Sequence, residues 1–231
     1  MTETARSVRR PSASFKLRRR SLSTKRQAEL NDWMNRWGID VEGPLLSWQE
    51  VFGRDGDVVL DIGFGHGEST IEMAVNQPDI DVIAVEVHTP GVVTLLDSVV
   101  QQDIGHVRVV HGDLLPFLDR IPQESLAGVR VYFPDPWPKA RQAHRRLLGP
   151  DVIAALTDRL RPGGELHMAT DIADYATAIE AACNDEPRLT GGVISRPNWR
   201  RHTRFEQRGL DAGRVATDLL YRRTPKTHVC R

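Results

Sequence analysis

The chain has 231 residues, which is enough for one well-filled domain with a short appendage and too few for two. No apolar run approaches the roughly 18 residues of a membrane span, and the start of the sequence lacks the apolar core of a signal peptide. The two cysteines, Cys183 and Cys230, do not have the spacing of a metal or redox site. These features exclude a membrane protein and a disulfide or zinc scaffold, and we expect a cytoplasmic protein with no metal.

The net charge is formally zero, but the charges are unevenly distributed. Residues 1–30 hold nine Lys/Arg against two acids, and residues 196–231 hold ten against three. An acidic body with two basic ends favours a polyanionic partner held by the ends and a cationic or neutral ligand in the body. We expect residues 1–22 to form a flexible basic arm that contacts RNA. A solubilising tail and an organellar transit peptide are the alternatives for this arm.

The first predicted helix begins at residue 23 or 24, runs to Trp37 and stops at Gly38. Its large apolar side chains share one face: Leu30, Trp33, Met34 and Trp37. This pattern favours packing on the core over stacking on bases.

A glycine-rich turn follows the first predicted strand. The apolar run at residues 58–62 is typical of a strand buried on both faces, and three glycines then allow a tight turn into a helix: Gly63, Gly65 and Gly67. Dinucleotide enzymes place a pyrophosphate on such a turn. Here Asp61 and Glu68 flank it, and two carboxylates would repel a diphosphate but attract the amino group and sulfonium of S-adenosylmethionine. The sequence therefore favours S-adenosylmethionine, with a nicotinamide dinucleotide as the alternative.

Two further predicted strands are followed by acids. Residues 81–86 predict a buried strand ending at Glu86. In nucleotide-binding βαβ units an acidic residue contacts the ribose hydroxyls, and Glu86 follows Gly67 at nearly the interval found there. Thr89 and Pro90 next predict the cap and first turn of a helix through about residue 102, and a strand over residues 106–110 follows, before Asp113. Taken alone, Asp113 fits a helix cap as well as an adenine contact. Its place after a third successive strand favours the contact, because ligands of open parallel sheets bind at the carboxyl ends of the strands.

The most distinctive segment is the proline-rich loop, residues 133–141, which follows a predicted strand over residues 128–133. Three prolines in this loop are incompatible with continued helix or strand and predict a stiff, exposed loop at the ligand edge. The loop carries Asp135, which falls where the methyl donor would end. A basic cluster suited to phosphates follows the loop: His144, Arg145 and Arg146.

The last third of the chain predicts two helices and three strands. A helix over residues 149–160, a turn over residues 161–164 and a strand over residues 165–170 precede Asp171. A helix to about residue 184 and strands over residues 189–194 and 215–222 follow. Between these two strands, residues 196–214 are basic with aromatics interspersed, a composition that nucleic-acid surfaces favour. A solvated charged loop is the alternative for this basic segment.

Five motifs give the chain a specific resemblance. They are Leu-Asp-Ile-Gly-Phe-Gly, Val-Glu-Val-His-Thr-Pro-Gly, Pro-Asp-Pro-Trp, His-Met-Ala-Thr-Asp and Thr-Arg-Phe-Glu-Gln-Arg-Gly. Through them, residues 10–225 resemble the bacterial tRNA (guanine-N7)-methyltransferases. The resemblance implies an α/β fold of the Rossmann-like class I methyltransferase type, with a seven-stranded, mostly parallel sheet and helices on both faces. It also implies methylation of the guanine in the tRNA variable loop, position 46 by convention.

The resemblance also implies roles for individual residues. The expected S-adenosylmethionine contacts are Asp61, Gly63, Gly65, Glu86, Asp113 and Asp135, and Asp135 also takes the catalytic place. The expected substrate contacts are Lys139, Asp171, Thr203, Arg204, Phe205 and Glu206, and the expected RNA contacts are Arg141, His144, Arg145 and Arg146. The family often has Glu at the position of Asp61 and Lys at that of Arg204, and both differences keep the charge.

These observations predict a single methyltransferase domain over residues 23–225 with a tail over residues 226–231, acting on tRNA as a monomer or homodimer. Guanine N7 carries a lone pair and no proton, so Asp135 is expected to position the base or stabilise its charge and need not be a general base. Three alternatives are a nicotinamide oxidoreductase, a methyltransferase for small molecules, and a catalytically silent RNA-binding module.

Overall fold

The computed structural model describes residues 22–200 and 203–225, except for the side chains of Ala140, Arg204 and Phe205. The predicted arm, apart from Leu22, and the predicted tail lie outside these residues, so the domain boundaries stay predictions. Within the described part, seven strands form one sheet in the order β3-β2-β1-β4-β5-β7-β6. The strands are β1 (Asp57–Ile62), β2 (Ile80–Glu86), β3 (Val107–His111), β4 (Leu126–Tyr132), β5 (Leu160–Thr170), β6 (Leu189–Ile194) and β7 (Thr217–Arg223).

The pairing confirms the predicted mostly parallel sheet. Neighbours among β1 to β5 pair in parallel, whereas β7 pairs antiparallel with both β5 and β6. The carboxyl ends of β1 to β5 therefore meet at one edge, called here the carboxyl edge. The loops that follow these strands carry most of the predicted site residues to this edge.

Helices cover both faces of the sheet, as predicted. They are α1 (Thr24–Trp37), α2 (Trp48–Phe52), α3 (Glu68–Asn76), α4 (Thr89–Gln101), α5 (Leu114–Leu118), α6 (Pro150–Arg159), α7 (Ala173–Asn184) and α8 (Arg204–Asp211), with a short 3-10 helix at Ala140–Arg145. In β1, Val58 and Leu60 face a core shared with α5, α6 and α7, while Val59 faces a second core shared with α1, α3 and α4. Alternate residues of one strand thus stabilise two layers.

The first helix matches its prediction. The hydroxyl of Ser23 accepts a hydrogen bond from the N–H of Arg26, which caps α1, and Gly38 follows its last residue. Trp37 is buried in the core, and Trp33 is half-buried against it. The core-packing interpretation of these tryptophans is therefore confirmed.

Two local predictions differ from the structure. The predicted turn at residues 161–164 is an irregularity inside β5, because Leu126 pairs with Leu160 and Gly128 pairs with Glu165. Gly163, with φ of +80°, lets the backbone bend without leaving the sheet. The predicted cap of α4 is also shifted, since α4 begins at Thr89 and its N-cap is His88.

Helix α8 was not predicted inside the basic segment, although its signal is present in the sequence. Thr203 and Glu206 have the spacing of a capping box, and the Thr203 hydroxyl accepts a hydrogen bond from the N–H of Glu206 at 3.1 Å. Across residues 22–200 and 203–225, no helix is long and apolar enough to cross a membrane, and no group of His, Cys, Asp and Glu side chains is arranged to hold a metal ion.

Candidate active site

The glycine turn (residues 63–67) lies at the carboxyl edge between β1 and α3. Gly63, Gly65 and Gly67 have φ of +69°, +61° and +80°, a region that favours glycine. A Cβ on Gly67 would lie 2.7 Å from Leu95, so this glycine is needed for packing against α4. A Cβ on Gly63 or Gly65 would meet nothing within 4 Å. These two glycines therefore leave bare backbone open to a ligand.

Asp61 lies in β1 beneath the glycine turn and is only 4% exposed. Its Oδ2 accepts a hydrogen bond from the hydroxyl of Thr70 in α3 at 2.6 Å. Burial raises the pKa of Asp61, while the Thr70 hydrogen bond and the charge of Arg130 oppose that rise. The carboxylate thus joins β1 to α3, and its contact with a cofactor stays a prediction. Glu68 opens α3 as predicted and is exposed.

Glu86, the last residue of β2, holds the glycine turn in place. Its Oε2 accepts a hydrogen bond from the N–H of Gly65 at 2.9 Å, and its Oε1 accepts from the N–H groups of Val87 and His88 at 2.7 and 2.9 Å. Gly65 also lies against α4, because a Cβ on Gly91 would fall 1.9 Å from the Gly65 carbonyl oxygen. The structure therefore gives Glu86 a role in shaping the turn, and its predicted ribose contact stays a prediction.

Asp113 caps α5, so the cap alternative is confirmed. Its Oδ1 accepts a hydrogen bond from the N–H of Leu115 at 3.1 Å. At the end of β3, Nε2 of His111 lies 3.1 Å from Oγ1 of Thr89. Burial lowers the pKa of His111, and the charge of Glu86 opposes this. Asp113 and His111 thus lie at the carboxyl edge beside Glu86, and the adenine contact of Asp113 stays a prediction.

The proline-rich loop leaves β4 at the same edge and is held at its start and at its middle. Phe133 and Trp137 have φ of +53° and +39°, which is strained for residues other than glycine. The N–H of Phe133 donates to the carbonyl of Ala169 in β5 at 2.7 Å, and Nε of Arg146 donates to the carbonyl of Pro136 at 2.9 Å. The loop therefore presents Asp135 to solvent from a fixed backbone.

The predicted RNA-contacting residues differ in exposure. Arg141 and His144 are exposed, as phosphate contact requires, and so is the predicted substrate contact Lys139. Arg145 is half-buried, with its guanidinium carbon 5.0 Å from the ring centroid of Trp137, and its buried Nε has no hydrogen-bond partner among the described residues. Arg146 is largely buried and forms an ion pair with Asp174. Arg146 thus supports the loop in this structure, and its contact with RNA stays a prediction.

The predicted substrate residues of the last third gather around α8. Asp171 forms an ion pair with Arg214, Oδ2 to Nε at 2.7 Å, and a Cβ on Gly209 would lie 3.2 Å from the same oxygen. Helix α8 therefore lies directly over Asp171. Thr203 caps α8, and Glu206 is buried in an ion pair with Arg200. Arg204 and Phe205 belong to the first turn of α8, with side chains outside the described structure.

Comparison with known proteins decides the family. A family model described as "Putative methyltransferase" matches residues 55–219. The tRNA (guanine-N(7)-)-methyltransferase of Streptomyces avermitilis is 44% identical over 91% of this chain and 74% of that protein. The protein of the same name from Nitrosospira multiformis is 41% identical over 94% of this chain and 96% of that protein. The chain belongs to the tRNA (guanine-N(7)-)-methyltransferase family.

The fold comparison agrees with this family. The structure of the 16S rRNA methyltransferase KamB superposes with a TM-score of 0.57 at 15% identity, covering 79% of this chain and 96% of that chain. At that identity the likeness shows the fold alone, which is the Rossmann-like class I methyltransferase fold. Both the resemblance drawn from the five motifs and the predicted fold class are thus confirmed.

Sequence reasoning missed one group of residues in this member of the tRNA (guanine-N(7)-)-methyltransferase family. His167 and Asp218 are polar residues that interrupt the apolar residues of β5 and β7, and both are buried, with Asp218 paired to Arg200. A buried charged group in a strand requires a partner, so the polar positions in β5 and β7 were a signal that could have been used.

Proposed function

We propose that this protein transfers the methyl group of S-adenosylmethionine to N7 of a guanine in the variable loop of tRNA, at position 46 by convention. The observation that carries the proposal is that the glycine turn, with its open backbone, and the Asp135 loop both lie at the carboxyl edge of the sheet, in a chain of this family. The proposed substrate places the protein in the cytoplasm. Its action as a monomer or homodimer stays a prediction.

The residues at the carboxyl edge fit the cofactor. Gly63 and Gly65 offer backbone that no side chain covers, and the rim next to them is acidic, which suits an amino group and a sulfonium. Asp61, Glu86, Asp113 and Asp135 are the proposed cofactor contacts. S-adenosylmethionine supplies an electrophilic methyl group on a positively charged sulfur.

The proposed chemistry needs orientation more than proton transfer. The lone pair of guanine N7 forms the new bond to carbon while the bond from sulfur to that carbon breaks, and the positive charge passes from sulfur to the guanine. Placing N7 in line with the methyl group supplies up to roughly 7 to 11 kcal/mol in well-oriented systems. The base must leave its stack to reach this site.

Asp135 is the better placed of two carboxylates to hold the base. It is exposed on the loop, whereas Asp171 is largely buried and already paired with Arg214. A carboxylate that accepts hydrogen bonds from guanine N1–H and the 2-amino group would fix the base and stabilise the charge that the base gains. We therefore assign the catalytic contact to Asp135 and place Asp171 at the substrate side of the same cleft.

The direct test is to incubate the protein with methyl-labelled S-adenosylmethionine and unmodified tRNA, digest the RNA to nucleosides and look for 7-methylguanosine. Asp135→Ala and Asp135→Asn should each slow the transfer by about 100-fold or more, as expected for loss of a charge-stabilising contact. Asp151→Asn is the matched control, because Asp151 is an exposed aspartate in the first turn of α6. Turnover by both Asp135 variants at the rate of the control would show that the role is misassigned.

We assign RNA binding to the exposed cations of the loop region and to the two basic ends. Lys139, Arg141 and His144 are open to phosphates at the carboxyl edge. The affinity for tRNA should therefore fall with salt, with a log-log slope of roughly 0.7 to 0.9 per neutralised phosphate. Removing residues 1–20 should weaken tRNA binding and leave S-adenosylmethionine affinity intact. A slope near zero, or loss of both affinities on truncation, would contradict this assignment.

A further inference from the structure

A chain of largely buried polar groups crosses the sheet behind the proline-rich loop. Its members are the half-buried Tyr132 of β4 and the buried His167 of β5, Asp218 of β7, Arg200 and Glu206, and we call it the buried polar chain. Oη of Tyr132 lies 2.7 Å from Nδ1 of His167, and Nε2 of His167 lies 2.8 Å from Oδ1 of Asp218. These side chains lie on the sheet face opposite to that of Leu166, Met168 and Leu219, which pack with α5, α6 and α7.

Arg200 is the centre of this chain. Its Nε and Nη2 donate to the two oxygens of Asp218 at 2.6 and 2.7 Å, and its Nη1 and Nη2 donate to the two oxygens of Glu206 at 2.8 and 2.9 Å. The side chains of Arg200, Asp218 and Glu206 are 1%, 1% and 3% exposed. Burial alone would lower the pKa of Arg200, but the two carboxylates outweigh it and raise that pKa. The guanidinium therefore stays charged and holds two buried carboxylates at once.

Arg200 also contacts the start of the proline-rich loop. Its guanidinium carbon lies 5.5 Å from the ring centroid of Tyr132 and 5.7 Å from that of Phe133, both within cation-π range. Phe133 has the strained φ of +53°, which persists only where the surroundings hold it. Asp135 follows two residues later. One side chain thus joins the base of the Asp135 loop to α8, which carries four of the predicted substrate residues at its start.

We propose that Arg200 is a positioning residue that holds the Asp135 loop and the start of α8 in one arrangement, with Asp218 as its anchor in the sheet. The proposal rests on the proposed function. Arg200 acts through the groups it contacts, because a side chain with 1% exposure presents no charge to tRNA phosphates. Lysine cannot replace it, since an ammonium group lacks the planar fork that pairs with two carboxylates.

The test compares Arg200→Lys and Asp218→Asn with Arg188→Lys. Arg188 also bridges two acids, Glu186 and Asp158, but it does so at the opposite end of the sheet, where α6 ends and β5 begins. For each variant we would measure the melting temperature, the Kd for S-adenosylmethionine by calorimetry, and the salt slope of tRNA binding. We would also measure kcat at saturating tRNA, at a temperature well below the lowest melting temperature among the variants.

We expect Arg200→Lys and Asp218→Asn to lose at least about tenfold in kcat, because a misplacement of about 1 Å at a reacting centre is enough to cost two orders of magnitude. The salt slope should match the wild type, because no exposed cation is changed. The Kd for S-adenosylmethionine should rise by a smaller factor than kcat falls, because Asp135 is only one of the proposed cofactor contacts and the glycine turn is unchanged. Arg188→Lys should lower the melting temperature and keep kcat.

Three results would overturn the proposal. The first is that Arg200→Lys and Asp218→Asn have the same kcat as the control Arg188→Lys, with a similar decrease in melting temperature. Another is a rise in the Kd for S-adenosylmethionine as large as the loss in kcat, and the third is a reduced salt slope, which would make Arg200 a phosphate contact. If Arg200→Lys does not fold, Asp218→Asn decides the matter by the same criteria. Failure of the proposed function is distinguishable, since the wild type itself would then form no 7-methylguanosine.

Discussion

Gly91→Ala should weaken cofactor binding while leaving the protein folded. Gly91 lies in the first turn of α4, and a Cβ there would fall 1.9 Å from the carbonyl oxygen of Gly65. Since real Cβ contacts are not shorter than 3.0 Å, the glycine turn and α4 must separate by about 1.1 Å. Overpacking of this kind costs about 1 to 3 kcal/mol, and the helix preference of alanine recovers about 1 kcal/mol.

The net cost of about 0 to 2 kcal/mol lowers the melting temperature by no more than about 8 °C in a chain of this size. The displaced Gly65 N–H would no longer meet Glu86 at 2.9 Å, and the open backbone of the turn would move with it. We expect the Kd for S-adenosylmethionine, measured by calorimetry, to rise by at least about tenfold, which corresponds to about 1.4 kcal/mol. Gly105→Ala is the control, because a Cβ there meets nothing within 4 Å. Wild-type affinity in Gly91→Ala would refute the assignment of the glycine turn to the cofactor.

Three further predictions concern buried or paired groups. Burial raises the pKa of Asp61, so the Asp61 carboxyl contributes to the free energy of unfolding below its unfolded-state pKa, and this contribution is lost as pH rises through its folded-state pKa. Asp61→Asn removes this titration. The free energy of unfolding of the variant, measured in urea, should therefore increase relative to that of the wild type from pH 4 to pH 8, and a constant difference would contradict this. Burial raises the pKa of Cys183 to about 12, so in a Cys230→Ser background a thiol reagent should react only as fast as the protein unfolds. Arg146→Lys keeps the charge but cannot reach both the loop carbonyl and Asp174, so methyl transfer should slow several-fold with a smaller rise in the Kd for the cofactor; equal rates would show that the loop needs no such support.

The elements that position the cofactor side of the site follow directly from local sequence. The apolar run of β1 and the glycines after it predict a buried strand and a turn, and both are present where expected. Glu86 and Asp113 are likewise at the strand ends where their spacing placed them. Local periodicity and turn chemistry suffice here because each element is short and continuous.

The substrate side could not be predicted in the same way, because it depends on contacts between distant segments. Asp171 was correctly placed at a strand end, but its pairing with Arg214 joins residues 43 positions apart. Arg200 and Asp218 are 18 positions apart, and His167 and Asp218 are 51 apart. A basic composition indicated nucleic-acid contact for residues 196–214, whereas Arg200 is buried in ion pairs. Composition cannot distinguish a buried cation from an exposed one.

The place of β7 between β5 and β6 has a consequence for synthesis of the chain on the ribosome. The glycine turn, Glu86 and the Asp135 loop all belong to the first five strands, which pair with strands already made. Strand β6 has no partner until residues 217–223 emerge, because β7 separates it from β5. Asp218 arrives with β7, so Arg200 acquires its anchor only after residue 218 has been made. We therefore expect a nascent chain to assemble the proposed methyl-donor side first and to complete the proposed guanine side once β7 has been made.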